Sequence, residues 1–116
     1  MHFQTAPFQE VKLIRCSRGS IYDVIIDLRP ESTTFKQHIG LELSAENGKM
    51  LYVPEGFAHG FQTLENDTEV FYQISQFHSV EHARGVRWND PSFGIDWPAA
   101  ERTILERDQS YADFTG

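Results

Sequence analysis

Apolar and polar positions in this chain mostly alternate, and they seldom recur at helical spacing. "VKLIRC" (11–16) and "IYDVIIDL" (21–28) are rich in β-branched and aromatic residues. The turn-forming "SRGS" between them predicts a hairpin. "HIGLELS" (38–44) alternates, and "AENGK" (45–49) predicts the next turn. "MLYV" (50–53) predicts a short strand that stops at Pro54. "GFQTL" (60–64) predicts another, closed by the turn "ENDT" (65–68). "EVFYQISQF" (69–77) is the longest run, and "GVRW" (85–88) predicts a last short strand. Short strands at near-regular spacing, with no strong helix, predict an all-β antiparallel sandwich or barrel.

The C-terminal part has another character. "NDPSFGIDWP" (89–98) is punctuated by Asp, Pro and Gly and predicts turns. "AAERTILERD" (99–108) has weak helical periodicity, with Pro98 suited to a first helical position. No repeat, low-complexity segment or linker interrupts the chain. The expectation is one domain over residues 1–116.

Composition narrows the classes. At 116 residues, with 40% hydrophobic and 13% aromatic residues, the chain can build one packed core. No apolar run approaches membrane-spanning length, and "MHFQTAPFQE" lacks the blocks of a signal peptide. A single cysteine, Cys16, excludes an internal disulfide framework. A cytoplasmic protein is the expectation. The net charge of −7 argues against nucleic acid and anionic membranes as partners. A phosphorylated small molecule needs only a few local cations.

Gly48, Pro54, Gly56 and His59 stand at the spacing G-x5-P-x-G-x2-H. That spacing resembles the second signature of the cupin superfamily of small jelly-roll barrels. Pro54 ends a strand, Gly56 permits the turn, and His59 begins the next strand aimed inward. Metal-binding cupins add an upstream H-x-H, where this chain has Ile25 and Asp27. A lone histidine does not make a three-ligand site, so a hydrogen-bonded barrel histidine competes with a functional one.

Longer blocks carry a more specific resemblance. "VKLIRCSRGSIYDVIIDLRPESTTF", "IGLELSAENGKMLYVPEGFAHGF", "VFYQIS" and "GVRWNDPSFGIDWP" resemble the dTDP-4-dehydrorhamnose 3,5-epimerase family from "MHFQ" to about Asp108. The resemblance implies a metal-free, cofactor-free cupin jelly roll, normally a homodimer. It implies action on a nucleotide-linked 4-keto-6-deoxy sugar. The ketone acidifies its neighbouring C–H bonds, so a base can form an enolate and an acid can return the proton on the opposite face.

By position, the resemblance makes His2 the base and Asp108 its partner. It makes Tyr72 the opposed acid, and it places Lys12 and His59 at the enolate oxygen. Without the resemblance, each has a plainer reading. His2 is a frayed terminal residue and Asp108 a surface acid. Lys12 is a solvated strand lysine and Tyr72 a core aromatic.

Two departures qualify the resemblance. The family's chains extend far upstream of the catalytic histidine. Here Met1 stands at the motif's own Leu or Met position, and the arginine–glycine pair before it is absent. The expectation is a chain lacking the family's N-terminal stretch, through an internal start or as a short relative. Phe77 stands where the family often has a tyrosine, a change that bears on substrate contact. Arg15, Arg18, Arg29, Arg84 and Arg87 are candidate diphosphate contacts or plain solvated charges. The alternative to an epimerase is a shortened, non-catalytic cupin that binds a nucleotide sugar or serves as a dimeric interaction module. A metal-dependent oxygenase is a third reading.

Overall fold

A computed structural model describes residues 1–116. The strands are β1 (His2–Gln4), β2 (Lys12–Arg18), β3 (Ser20–Asp27), β4 (His38–Ser44), β5 (Met50–Val53), β6 (Phe57–Thr63), β7 (Glu69–Ile74) and β8 (Ala83–Gly85). One short helix, α1 (Glu106–Gln109), follows. Five strands form a sheet in the order β4-β3-β6-β1-β8, and three form a second in the order β5-β2-β7. Every pairing is antiparallel. No helix is long and apolar enough to cross a membrane.

The burial pattern explains the layering. On β2, Lys12, Ile14 and Cys16 are buried at every second position, so one face looks inward. On β3, seven of eight residues are buried, so both faces are covered. Ile21 and Ile25 of β3 meet Ile14, Cys16, Leu43, Leu51 and Val53 in one apolar cluster. Val24 and Ile26, in the opposite phase of β3, join Met1, Ala58, Val86 and Phe93 in a second. Trp97 and Phe114, from beyond the last strand, pack onto that second cluster. Each fully buried aliphatic side chain contributes about 1.5–3 kcal/mol of transfer free energy.

The predicted hairpin between 11–16 and 21–28 does not form. β2 pairs with β5 and β7, whereas β3 pairs with β4 and β6. The chain crosses between sheets at Gly19, whose φ is +74° and whose missing Cβ leaves room for Thr68. Ile14 and Cys16 then meet Ile21 and Ile25 in the first cluster, a packing that side-by-side pairing would forgo. Three strand boundaries also shift. β6 starts at Phe57, ahead of the predicted Gly60, and β7 ends at Ile74. The last strand covers Ala83–Gly85 instead of 85–88, because the chain turns at Arg87–Asp90. The helix predicted over 99–108 shrinks to α1, which has no side-chain cap and no buried residue.

One polar knot fixes the loop after β3. Asp27, 1% exposed, accepts from the Arg29 backbone N–H and from its Nε and Nη2 at 2.8–3.0 Å. It also accepts from the Ser32 and Thr34 hydroxyls at 2.6 Å. The Arg29 guanidinium first, then these hydroxyls, hold the Asp27 carboxyl well below the usual carboxylate range.

Candidate active site

β1 is only three residues long, yet it lies inside the larger sheet, between β6 and β8. His2 sits opposite His59 on β6 and opposite Gly85 on β8. Register partners in adjacent strands project to the same face. The His2 and His59 side chains therefore share one wall.

Each imidazole has its own carboxylate. His2 Nε2 lies 2.6 Å from Asp108 Oδ1, a contact that reaches across 106 residues. Donating the Nε2 proton to Asp108 leaves Nδ1 free to accept one. Tyr111 packs its ring edgewise on His2, with centroids 6.3 Å apart. Burial pushes the His2 imidazole below its ordinary value, and the Asp108 hydrogen bond pulls it back part of the way. His59 Nε2 lies 2.5 Å from Asp23 Oδ1 on β3, and both side chains are buried. Asp23 Oδ2 is buried with no hydrogen-bond partner.

The facing wall comes from the smaller sheet. Lys12 on β2 is buried, with Nζ 3.5 Å from Glu10 Oε1. Burial lowers the Lys12 ammonium's pKa, while Glu10 and then Asp23 raise it. Tyr72 on β7 is the register partner of inward-facing Ile14, and it is half exposed. His2 and Tyr72 thus belong to different sheets that face one another.

A pocket of about 1070 Å³ lies between them. It is lined by His2, Lys12, His59, Tyr72 and Asp108, together with Glu10, Trp88, Trp97, Arg84, Arg102, Arg107 and Tyr111. The size suits an organic ligand larger than a single sugar. Five of the six predicted site residues meet there. Phe77 does not: it is 88% exposed and lies outside the lining. Of the five candidate arginines, only Arg84 lines the pocket. Arg29 is bound to Asp27, Arg87 is bound to Tyr111 O and Asp113, and Arg15 stacks over Phe71.

Asp23 and Glu10 were not among the predicted residues. A signal for Asp23 exists in "IYDVIID", where a carboxylate occupies the same strand phase as Ile21 and Ile25. A charge in a buried phase implies a partner. Glu10 has no such signal, because it precedes the strand.

A cradle of this kind can take a proton beside a carbonyl. His2–Asp108 is an imidazole held by a carboxylate, a pair that can act as a base with its orienter. Lys12 can offer a cation to developing negative charge, and Tyr72 places a hydroxyl on the opposite wall.

Comparison with known proteins bears on the family of the chain. A family model described as dTDP-4-dehydrorhamnose 3,5-epimerase matches residues 1–115. The dTDP-4-dehydrorhamnose 3,5-epimerase of Sinorhizobium fredii is 48% identical over 111 residues, 95% of this chain and 57% of that protein. The Bacillus anthracis dTDP-4-dehydrorhamnose 3,5-epimerase, solved with TDP and PPi bound, superposes with a TM-score of 0.93 at 45% identity. That match covers 97% of this chain and 65% of the other. A Legionella pneumophila dTDP-6-deoxy-D-glucose-3,5-epimerase, solved in complex with dTDP-4-keto-L-rhamnose, gives 0.87 at 33% identity. It covers 92% of this chain and 57% of the other. The chain therefore spans less than two thirds of the length of these relatives. The paired sheets are the cupin-type jelly roll that the resemblance implied.

Proposed function

The chain belongs to the dTDP-4-dehydrorhamnose 3,5-epimerase family, and from that we propose that it epimerises a nucleotide-linked 4-keto-6-deoxy sugar at C3, C5 or both. His2 takes the proton from the carbon beside the ketone. Asp108 orients the ring and stabilises the imidazolium that forms. The electrons move onto the ketone oxygen, and Lys12, with His59 near it, stabilises the enolate. Tyr72 returns a proton to the same carbon from the opposite face. His2 and Tyr72 on facing sheets, with the pocket between them, are the observation that carries this reading.

Arg84, Arg102 and Arg107 are the other cations of the lining, and they suit the diphosphate. The reading needs no metal or cofactor. A homodimer suits the outer face of the smaller sheet, where Met50, Tyr52 and Phe71 are exposed beside one another. A cytoplasmic site of action fits a nucleotide-sugar substrate.

The test is proton NMR of the protein with dTDP-4-keto-6-deoxyglucose in D2O, with His2→Ala as control. Deuterium should enter C3 or C5 with wild type and fail to enter with the variant. Binding without exchange would replace this reading with that of a non-catalytic nucleotide-sugar cupin.

A further inference from the structure

Arg87, Asp90 and Ser92 of the "RWNDPS" block (87–92) lie outside the pocket lining, yet they bind the tail that carries Asp108. Asp108 belongs to a tail with almost no structure of its own: beyond residue 102 only the four residues of α1 are regular. The tail's hydrogen bonds to the rest of the chain are few. Apart from the contacts at His2, every one ends on Arg87, Asp90 or Ser92.

Asp90 is central among them. It is 2% exposed. Its Oδ2 accepts the Phe114 backbone N–H at 2.7 Å, and its Oδ1 accepts that of Ser92 at 2.8 Å. Arg87 Nη1 donates to Tyr111 O at 3.0 Å, and its Nη2 to Asp113 Oδ1 at 2.6 Å. The turn holding both is closed by Asp90 N–H to Arg87 O and by Phe93 N–H to Asp90 O. Phe114 stacks on Phe93, with centroids 5.3 Å apart. Gly85 leaves room for the Tyr111 ring, which a Cβ would strike.

We propose that Asp90, assisted by Arg87, is a positioning residue. It clamps the tail at Phe114 and Tyr111 so that Asp108, a few residues upstream, reaches His2. A buried carboxylate that accepts two backbone N–H groups is a firm anchor, since these charge-assisted bonds are stronger than neutral ones. The anchor stays ionised, because those donors, with Arg87 nearby, hold the Asp90 carboxyl below its ordinary range against the opposing effect of burial. Without it, the His2–Asp108 contact would have to order the tail by itself, at the entropic cost of every residue fixed.

The proposal rests on the catalytic reading of His2, so its first readout needs no substrate. Asp90→Asn keeps the shape but turns an amide toward a backbone N–H. The His2 ring is followed by 15N NMR against pH, and the tail amides by hydrogen exchange. The groups facing His2 are Asp108, Arg107 and Tyr111 of the tail, His59 of β6, Lys12 of β2 and the Met1 amine. Only the tail's should move.

The expected result is a His2 titration displaced from that of wild type, with faster exchange of the amides at 111–114. Deuterium wash-in should fall on the order of 10- to 100-fold in kcat, with little change in KM. If the tail amides are freed while the His2 titration stays put, the proposal is overturned. If Asp90→Asn does not fold, Arg87→Gln is read the same way. If wild type shows no wash-in at all, the epimerase reading fails, while the His2 titration still decides the clamp.

Discussion

His2 and His59 are register partners across β1 and β6, and each imidazole is bound to a separate aspartate, Asp108 and Asp23. The two pairs differ in exposure. The His2 side chain is 42% exposed and Asp108 belongs to the tail, whereas His59 and Asp23 are buried within the sheet. The more open pair suits proton exchange with a substrate. The closed pair suits a fixed polar wall.

The open pair sets a pH dependence. Because burial holds His2 below its ordinary value, wash-in should hold its plateau down through the usual histidine range and fall only at lower pH. Asp108→Asn removes the pull that opposes burial. Its acid limb should move further down, and its plateau should drop about 100-fold or more. Folding follows the same sign. Folded His2 binds its proton less readily than the unfolded chain, so its contribution is complete above the unfolded value and is lost as pH falls through the folded one. A pH–rate profile of both proteins reads the first effect.

Lys12→Met removes the cation without much change of volume. Wash-in should fall about 100- to 1000-fold in kcat while KM stays close to wild type, since the lost charge acts mainly on the enolate. A large rise in KM at constant kcat would instead make Lys12 a diphosphate contact.

Tyr72→Phe should separate two events that wild type joins. His2 still removes and returns the proton on its own face, so deuterium still enters the sugar. Inversion needs the hydroxyl from the other sheet, so formation of the epimer should fall about 100-fold or more. Stereochemical analysis of the deuterated sugar checks this. Inversion at the wild-type rate would remove Tyr72 from the acid role.

Asp27→Asn tests the loop anchor, away from the pocket. Losing charge-assisted bonds at a buried site should cost about 1–3 kcal/mol of stability. A lower urea midpoint at unchanged slope would record it. In wild type, the depressed Asp27 carboxyl contributes stability that is complete above its unfolded value and is lost as pH falls through the folded one. The variant should lack that acid-side decline.

Strand existence was largely legible in the alternation, because β2 buries Lys12, Ile14 and Cys16 and β5 buries Leu51 and Val53 while the residues between them are more open. Strand pairing was not. "SRGS" looks like a hairpin turn, but the partners of β2 are set by which faces meet across the interior, and that is a long-range property. β1 was equally hidden. Three residues are too few for a periodicity, and His2, Phe3 and Gln4 become a strand only through β6 and β8. The site was legible chiefly through the family resemblance. No local pattern links residue 2 to residue 108, and the clamp that does so begins at Arg87. Phe77 aligned with a family tyrosine, but the lining passes from Gln76 to His78 without it.

β3 carries Ile21 and Ile25 into one apolar cluster and Val24 and Ile26 into the other. Two cores that share a strand cannot melt one after the other, because pulling β3 from either opens both. Heating should therefore give a single calorimetric transition. A nucleotide sugar that grips only the pocket would raise the melting temperature of the whole domain.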